Sequence, residues 1–201
     1  MKAQLIGAAL LAATLAGCGG KASFVVGGTV SGLNNQGLVL QDNGGSDLPV
    51  AAGATSFSFP NSISYGTEYK VSIKSQPEHM TCQVLNPTGS AGHTTVINIV
   101  VSCSQNSYSL GGTITGLKYD GLVLVNGASG SVTLTKTATT FTMPGTIPVG
   151  TPYGISVLTQ PSQTDTTTNV TSTQTCSIVQ GTGSGIMGDA NVNNVQVSCT
   201  P

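Results

Sequence analysis

The sequence predicts an all-β protein that consists of two tandem, seven-stranded antiparallel β-sandwiches. Three observations predict this fold class. Charged residues make up only 6% of the chain, whereas β-branched residues, which favour strands, are abundant. No long stretch places apolar residues at helical spacing. The sequence also repeats itself, which predicts two copies of one structural unit.

The repeat is carried by two motifs that recur at one constant shift. Residues 27–33 (GGTVSGL) recur as 111–117 (GGTITGL), and the GLVL of residues 37–40 recurs at 121–124. Without a gap, 20 of the 51 positions from 27 to 77 are identical in the second copy. We therefore predict domains at 24–104 and 107–200, joined by Gln105 and Asn106. Extra residues within 162–175 of the second copy predict an exposed loop.

Within the first copy, short runs rich in β-branched and aromatic residues alternate with turn residues and predict seven strands. The predicted strands are 24–31, 37–41, 48–51, 56–59, 68–74, 81–85 and 95–103. Period-two alternation places Tyr69, Val71 and Ile73 on one buried face. By the same rule Phe57 and Phe59 point into the core.

Four of the five cysteines fall into two similarly spaced pairs. Cys82 and Cys103 lie 21 residues apart, and Cys176 and Cys199 lie 23 residues apart. These spacings indicate one disulfide in each copy, although four cysteines allow three connectivities. If the strands that carry each pair are neighbours, each disulfide staples adjacent strands of one sheet.

The fifth cysteine lies at the end of a segment with the order of a secretory signal. Lys2 precedes an apolar stretch over residues 5–15, which is shorter than the roughly 20 residues that span a membrane. The stretch ends at Leu15-Ala16-Gly17-Cys18, which resembles the lipobox of bacterial lipoproteins. This resemblance implies a signal peptide at 1–17, acylation of Cys18 with fatty acids such as palmitate, and a lipidated tether at 18–23.

The alternative is a plain secretory signal followed by an incidental cysteine. Assigning Cys18 to lipid leaves an even number of cysteines for disulfides, which favours the lipobox. The residue after the cysteine is Gly19 rather than Asp. In enteric-type sorting this resembles a protein that is passed on to the outer membrane. We therefore expect a lipid-anchored protein of the bacterial cell envelope, in the outer membrane.

The order of the motifs in each copy resembles the prealbumin-like and immunoglobulin-like repeats of bacterial surface proteins. The motifs are Gly-x-Val, Gly-Leu-x-Leu, Phe-x-Phe and Gly-Thr-x-Tyr-x-Val-x-Ile. The resemblance covers nearly all of both copies but depends on core and turn positions. It therefore implies an immunoglobulin-like sandwich and says little about activity.

Residues that perform catalysis or bind metals and nucleic acids are sparse. The part after Cys18 contains five scattered lysines and no Arg, so nucleic-acid binding is not expected. A Ser-His-Asp site would need His79 or His93, but neither has a counterpart in the second copy and no Gly-x-Ser-x-Gly motif occurs. Without a Cys-x-x-Cys pair, zinc is also not expected. We expect no catalytic residue and no cofactor.

Two further sets of residues allow alternative interpretations. Residues 42–47 (DNGGSD) have the oxygen density of a calcium loop, but Asn-Gly and Gly-Gly favour a hairpin turn, which also explains the acid-free counterpart in the second copy. Among the aromatic residues, Tyr65, Tyr108 and Tyr119 are candidates for exposed stacking platforms for sugars.

These observations favour a membrane-anchored, non-enzymatic surface lipoprotein that acts as a structural, adhesive or protein-interaction module. Its expected partners are the membrane, through lipid on Cys18, and an envelope or extracellular protein or glycan. A carbohydrate- or small-ligand-binding module is the alternative, and a hydrolase is a remote one.

Overall fold

The computed structural model describes residues 22–92, 97–127 and 130–200. Every regular element in these ranges is a β-strand, which confirms the predicted all-β class. The described ranges contain no helix that is long and apolar enough to cross a membrane. The proposed signal peptide, Cys18 and His93 lie outside the described residues.

The first copy forms two sheets that face each other across one apolar core. Its described strands are β1 (Ser23–Ser31), β2 (Val39–Asp42), β3 (Gly45–Pro49), β4 (Ser56–Ser64), β5 (Glu68–Ser75), β6 (Met80–Leu85), β7 (Thr88–Ser90) and β8 (Ile99–Gln105). The strand orders are β4-β1-β8-β6 and β3-β2-β5-β7. Phe57, Phe59, Tyr69 and Val71 are buried between the sheets as the alternation predicted, with Ile73 packed against them.

The second copy repeats this arrangement. Its described strands are β9 (Ser107–Tyr108), β10 (Leu110–Thr115), β11 (Leu122–Asn126), β12 (Ser131–Leu134), β13 (Thr140–Thr142), β14 (Ile147–Pro148), β15 (Pro152–Thr159), β16 (Ser162–Thr164), β17 (Thr171–Thr173), β18 (Thr175–Ile178), β19 (Ser184–Ile186) and β20 (Val192–Thr200). The strand orders are β13-β10-β20-β18 and β12-β11-β15-β19, and β9 pairs with β14 and β16 with β17. A separate apolar cluster fills this copy.

One strand pair in each copy is parallel, so the prediction of a purely antiparallel sandwich is wrong at this point. In the first copy β1 lies beside the last strand, and in the second copy β10 lies beside the last strand, which gives the parallel pairs β1–β8 and β10–β20. Hydrophobic alternation fixes which face a residue occupies but not the direction of the neighbouring strand. The recurring Gly-Gly motif belongs to this pairing, because a Cβ at Gly28 would overlap the carbonyl oxygen of Ile99 and a Cβ at Gly112 that of Val195.

Several boundaries also differ from the predictions. The first strand begins at Ser23, so Ser23 belongs to the sandwich rather than to the tether. The third strand occupies Gly45–Pro49 instead of 48–51, because Asn43 and Gly44 adopt positive φ angles and make a tight two-residue turn. The short strand β7 was not predicted, since Thr88–Ser90 has no apolar alternation. The insertion in the second copy is the β16–β17 hairpin.

Candidate functional site

The junction between the copies is a hydrogen-bonded joint in which Asn106 is the central residue. Its N–H donates to the carbonyl of His79 (2.9 Å), and its carbonyl accepts from the N–H of Val149 (2.9 Å). Thr81 Oγ1 donates to Asn106 Oδ1 (2.7 Å), and Gln105 Nε2 donates to the carbonyl of Val149 (3.3 Å). Asn106 is the single residue between β8 and β9, so the linker is bonded to both copies.

An ion pair between His79 and Asp189 adds a second contact between the two copies. The separation of His79 Nδ1 and Asp189 Oδ2 is 2.7 Å, and the side chains are 46% and 52% exposed. The hydrogen bond that His79 donates to Asp189, together with the negative charge of Asp189, raises the pKa of His79. His79 has a φ of 58°, in the turn between β5 and β6 that also supplies a carbonyl to Asn106. His79, one of the two histidines considered for catalysis, therefore lies at the contact between the copies.

The four cysteines considered for disulfides are bonded within the copies. Cys82 is bonded to Cys103, and Cys176 is bonded to Cys199. In both cases the cysteines are direct register partners on neighbouring antiparallel strands, with Cα atoms 3.9 Å apart. Each disulfide therefore staples one edge strand to the last strand of its own copy.

The segment considered for calcium binding is a β2–β3 hairpin with separate partners for its two acids. Asp42 Oδ1 accepts from the N–H of Lys70 (3.1 Å). Asp47 forms an ion pair with Lys74 and accepts from Gln41 Nε2 (2.7 Å), and these hydrogen bonds lower the pKa of Asp47. Within the described residues, no three His, Cys, Asp or Glu side chains come together as a metal-ligand group. The hairpin-turn interpretation of this stretch is confirmed.

The β16–β17 hairpin is the most exposed element among the described residues of the second copy. All residues from 162 to 173 are exposed, including Val170. The hydroxyls of Thr164 and Thr171 contact each other across the strands at 2.9 Å. At the tip, the N–H groups of Thr167 and Thr168 donate to Asp165 Oδ1 and lower the pKa of that carboxyl. The hairpin thus presents hydroxyl and amide groups to solvent.

In the first copy only one of the two facing sheets has no charged residue in its strands, whereas in the second copy no described strand carries a charged residue. The uncharged sheet of the first copy, β4-β1-β8-β6, and its counterpart in the second copy, β13-β10-β20-β18, are here called the uncharged sheets. Their outward positions are mainly hydroxyl and amide side chains in register, as in the rows Ser31–Ser102–Gln83 and Thr115–Ser198–Ser177. The same polar, neutral surface is therefore displayed twice.

The candidate sugar-stacking aromatics are not gathered in one place. Tyr65 is 60% exposed at the β4–β5 turn of the first copy. Tyr108 is partly buried against the core of the second copy, and Tyr119 is partly buried in the loop after β10. A groove of about 470 Å³ in the first copy is lined by Leu38, Val39 and other residues without titratable groups.

Sequence reasoning missed the joint. The sequence assigns Asn106 to a linker and gives no sign that Asp189 contacts the first copy. Contacts between two copies leave no periodic pattern in the sequence, because single loop residues make them. The available signal was the shortness of the linker, which leaves the two copies adjacent.

Comparison with known proteins gives a structural likeness but no family. No protein-family model and no curated protein match the chain. Among solved structures, the chain is similar to the C-terminal fragment of pilus adhesin SpaC from Lactobacillus rhamnosus GG. The sequence identity is 10% and the TM-score is 0.36, over 88% of this chain and 97% of that chain. This likeness does not show the function of the chain.

Proposed function

We propose that this chain is a lipoprotein of the bacterial cell envelope, anchored through Cys18, whose two domains at 24–104 and 107–200 form a stiff, non-enzymatic spacer or protein-interaction module. The hydrogen-bonded joint at Asn106 carries the proposal. A flexible linker would let the domains reorient, which is the default for domains joined by a small interface. Here the linker residue is bonded on both sides, and the His79–Asp189 pair adds a second point of contact.

The stiffness is tested by the relative orientation of the copies in solution. Residual dipolar couplings measured on the disulfide-bonded protein should fit one alignment tensor for both copies. A matched variant, in which Asn106 is replaced by Gly-Ser-Gly, should require two tensors while both copies remain folded. Two independent tensors for the unmodified protein would contradict a stiff spacer.

The anchor is tested by changing the first residues. Cys18→Ala should abolish incorporation of labelled palmitate and release the protein from the membrane pellet, because two or three acyl chains hold a protein effectively permanently. Gly19→Asp is the matched variant for sorting. It should retain lipidation but shift the protein from the outer to the inner membrane in an enteric host. Unchanged membrane retention of Cys18→Ala would exclude the lipid anchor.

A second candidate function, binding of a neutral glycan, is favoured by the uncharged sheets. Hydroxyl and amide side chains can exchange hydrogen bonds with sugar hydroxyls, and display on two copies would raise the overall affinity through multivalency. A glycan array should be probed with the unmodified protein, with a Thr115→Lys variant and with deletion of residues 162–173. Binding lost in Thr115→Lys favours the sheet as the site, and binding lost on deletion favours the hairpin. The absence of any glycan hit argues against this function.

A further inference from the structure

The end of the first copy that carries its N-terminal strand is the counterpart of the surface by which the second copy enters the joint. In the second copy, the N–H of Val149 donates to the carbonyl of Asn106. One repeat earlier, the N–H of Tyr65 donates to the carbonyl of Ala22 at 3.1 Å. Ala22 and Tyr65 therefore occupy in the first copy the places that Asn106 and Val149 occupy in the second.

The two equivalent ends carry different side chains. In the second copy this end is met by groups of the first copy, such as Gln105 and His79. In the first copy the end carries an aromatic pair, Phe24 and Tyr65, with ring centroids 6.3 Å apart. Tyr65 is 60% exposed, and Val25 beside Phe24 is 56% exposed. This end of the first copy therefore presents an apolar and aromatic surface, whereas the equivalent end of the second copy contacts protein.

The backbone holds this aromatic pair in place. Phe24 lies opposite Ile63 in the β1–β4 pairing, and Ile63 packs against the core. A Cβ at Gly92 would overlap the ring of Tyr65, so Gly92 lies directly against that ring. The pair is therefore a built part of the domain end rather than a loose loop.

The length of chain before this end indicates what covers it. Only Gly19, Gly20 and Lys21 separate Cys18 from Ala22. A fully extended chain of this length spans roughly 14 Å at most. Lipid on Cys18 would consequently hold this end of the first copy close to the bilayer surface. Tyr and other aromatic side chains favour the membrane–water interface, where one part of the ring is apolar and another is hydrated.

We propose that Phe24, Val25 and Tyr65 form a membrane-contacting foot that lies in the headgroup region of the bilayer to which Cys18 is anchored. This inference depends on the proposed lipid anchor. Asp42, at the end of β2, and Glu68, at the start of β5, lie at the same end of the first copy but belong to the facing sheet. The foot is therefore on the β1–β4 side, and the copies project from it with the joint at the opposite end of the first copy.

The absence of Trp from the sequence allows a direct test. Lipidated protein carrying Tyr65→Trp is reconstituted into phosphatidylethanolamine–phosphatidylglycerol vesicles with brominated acyl chains. A side chain in the interface lies within about 5–10 Å of the headgroup boundary, so we expect at least about twofold quenching of its fluorescence. Tyr119→Trp, in the loop after β10 of the second copy, is the matched control and should show no quenching. Val25→Trp is a second reporter on the foot if Tyr65→Trp does not fold.

The outcomes separate the foot from the anchor. Quenching of Tyr65→Trp or Val25→Trp, without quenching of Tyr119→Trp, supports the foot. Vesicle-bound protein in which neither reporter is quenched overturns the foot and leaves the anchor intact. Quenching of all three positions overturns it as well, because the protein would then lie flat on the membrane. Lipidated preparations that fail to bind vesicles overturn both the anchor and the foot.

Discussion

The side-chain amide of Gln76 forms two hydrogen bonds with the backbone of Cys82. The N–H of Cys82 donates to Gln76 Oε1 (2.8 Å), and Gln76 Nε2 donates to the carbonyl of Cys82 (3.1 Å). Gln160 makes the same pair of bonds with Cys176, at 2.7 and 3.0 Å. Because β6 and β18 are edge strands, the amide replaces the strand that would otherwise pair with the cysteine. This explains why Gln recurs at the same position of both copies.

Gln76→Ala should therefore destabilise the first copy. The substitution leaves two backbone groups of the buried Cys82 without partners, and we expect a loss of about 2 kcal/mol in the free energy of unfolding. Urea unfolding followed by circular dichroism measures the change. Gln163→Ala, on the exposed hairpin, is the control and should leave the midpoint unchanged. Equal midpoints for the two variants would contradict the role given to Gln76.

Gly28→Ala should be more damaging than its small size suggests. The added methyl group would overlap the carbonyl oxygen of Ile99 and push β1 away from β8. We expect a destabilisation of about 2–3 kcal/mol, in the range of overpacked cores. Gly45→Ala, where a Cβ meets nothing within 4 Å, is the matched control for thermal unfolding. A Gly28→Ala protein as stable as Gly45→Ala would mean that β1 and β8 are not paired in parallel as described.

The disulfide of each copy should contribute independently. Replacing both Cys82 and Cys103 by Ala removes a cross-link over a short loop and should cost about 3 kcal/mol. The same change at Cys176 and Cys199 should lower the stability of the second copy by a similar amount. Non-reducing peptide mapping checks the connectivity. A peptide linking Cys82 to Cys176 or Cys199 would contradict one bridge per copy.

The features predicted correctly from the sequence are those that repeat along the strand. Buried positions such as Tyr69 and Val71 follow the period of two, and residues such as Phe57 and Phe141 recur because both copies bury the same site. The parallel β1–β8 pair escaped prediction, because alternation carries no information on strand direction. The joint escaped it because the pairing of His79 with Asp189 joins residues 110 positions apart that have no periodic relation.

The His79–Asp189 pair should make the joint dependent on pH. The hydrogen bond that His79 donates to Asp189 raises the pKa of His79 above its usual value of 6.5. A histidine whose pKa is raised by its partner stabilises the joined state below its unpaired pKa, and that contribution is lost as the pH rises through the raised pKa. The two copies should therefore be held more firmly near pH 5.5, about one unit below 6.5, than near pH 8.5, about two units above it.

Residual dipolar couplings and ¹⁵N relaxation of both copies, recorded at the two pH values, measure this dependence. His79→Gln keeps a hydrogen-bonding side chain but cannot be charged, so its joint should not respond to pH over this range. His93→Gln is the matched control and should respond as the unmodified protein does. Because both side chains of the pair are about half exposed, salt should weaken the effect. Interdomain motion that is independent of pH in the unmodified protein would show that this pair does not close the joint.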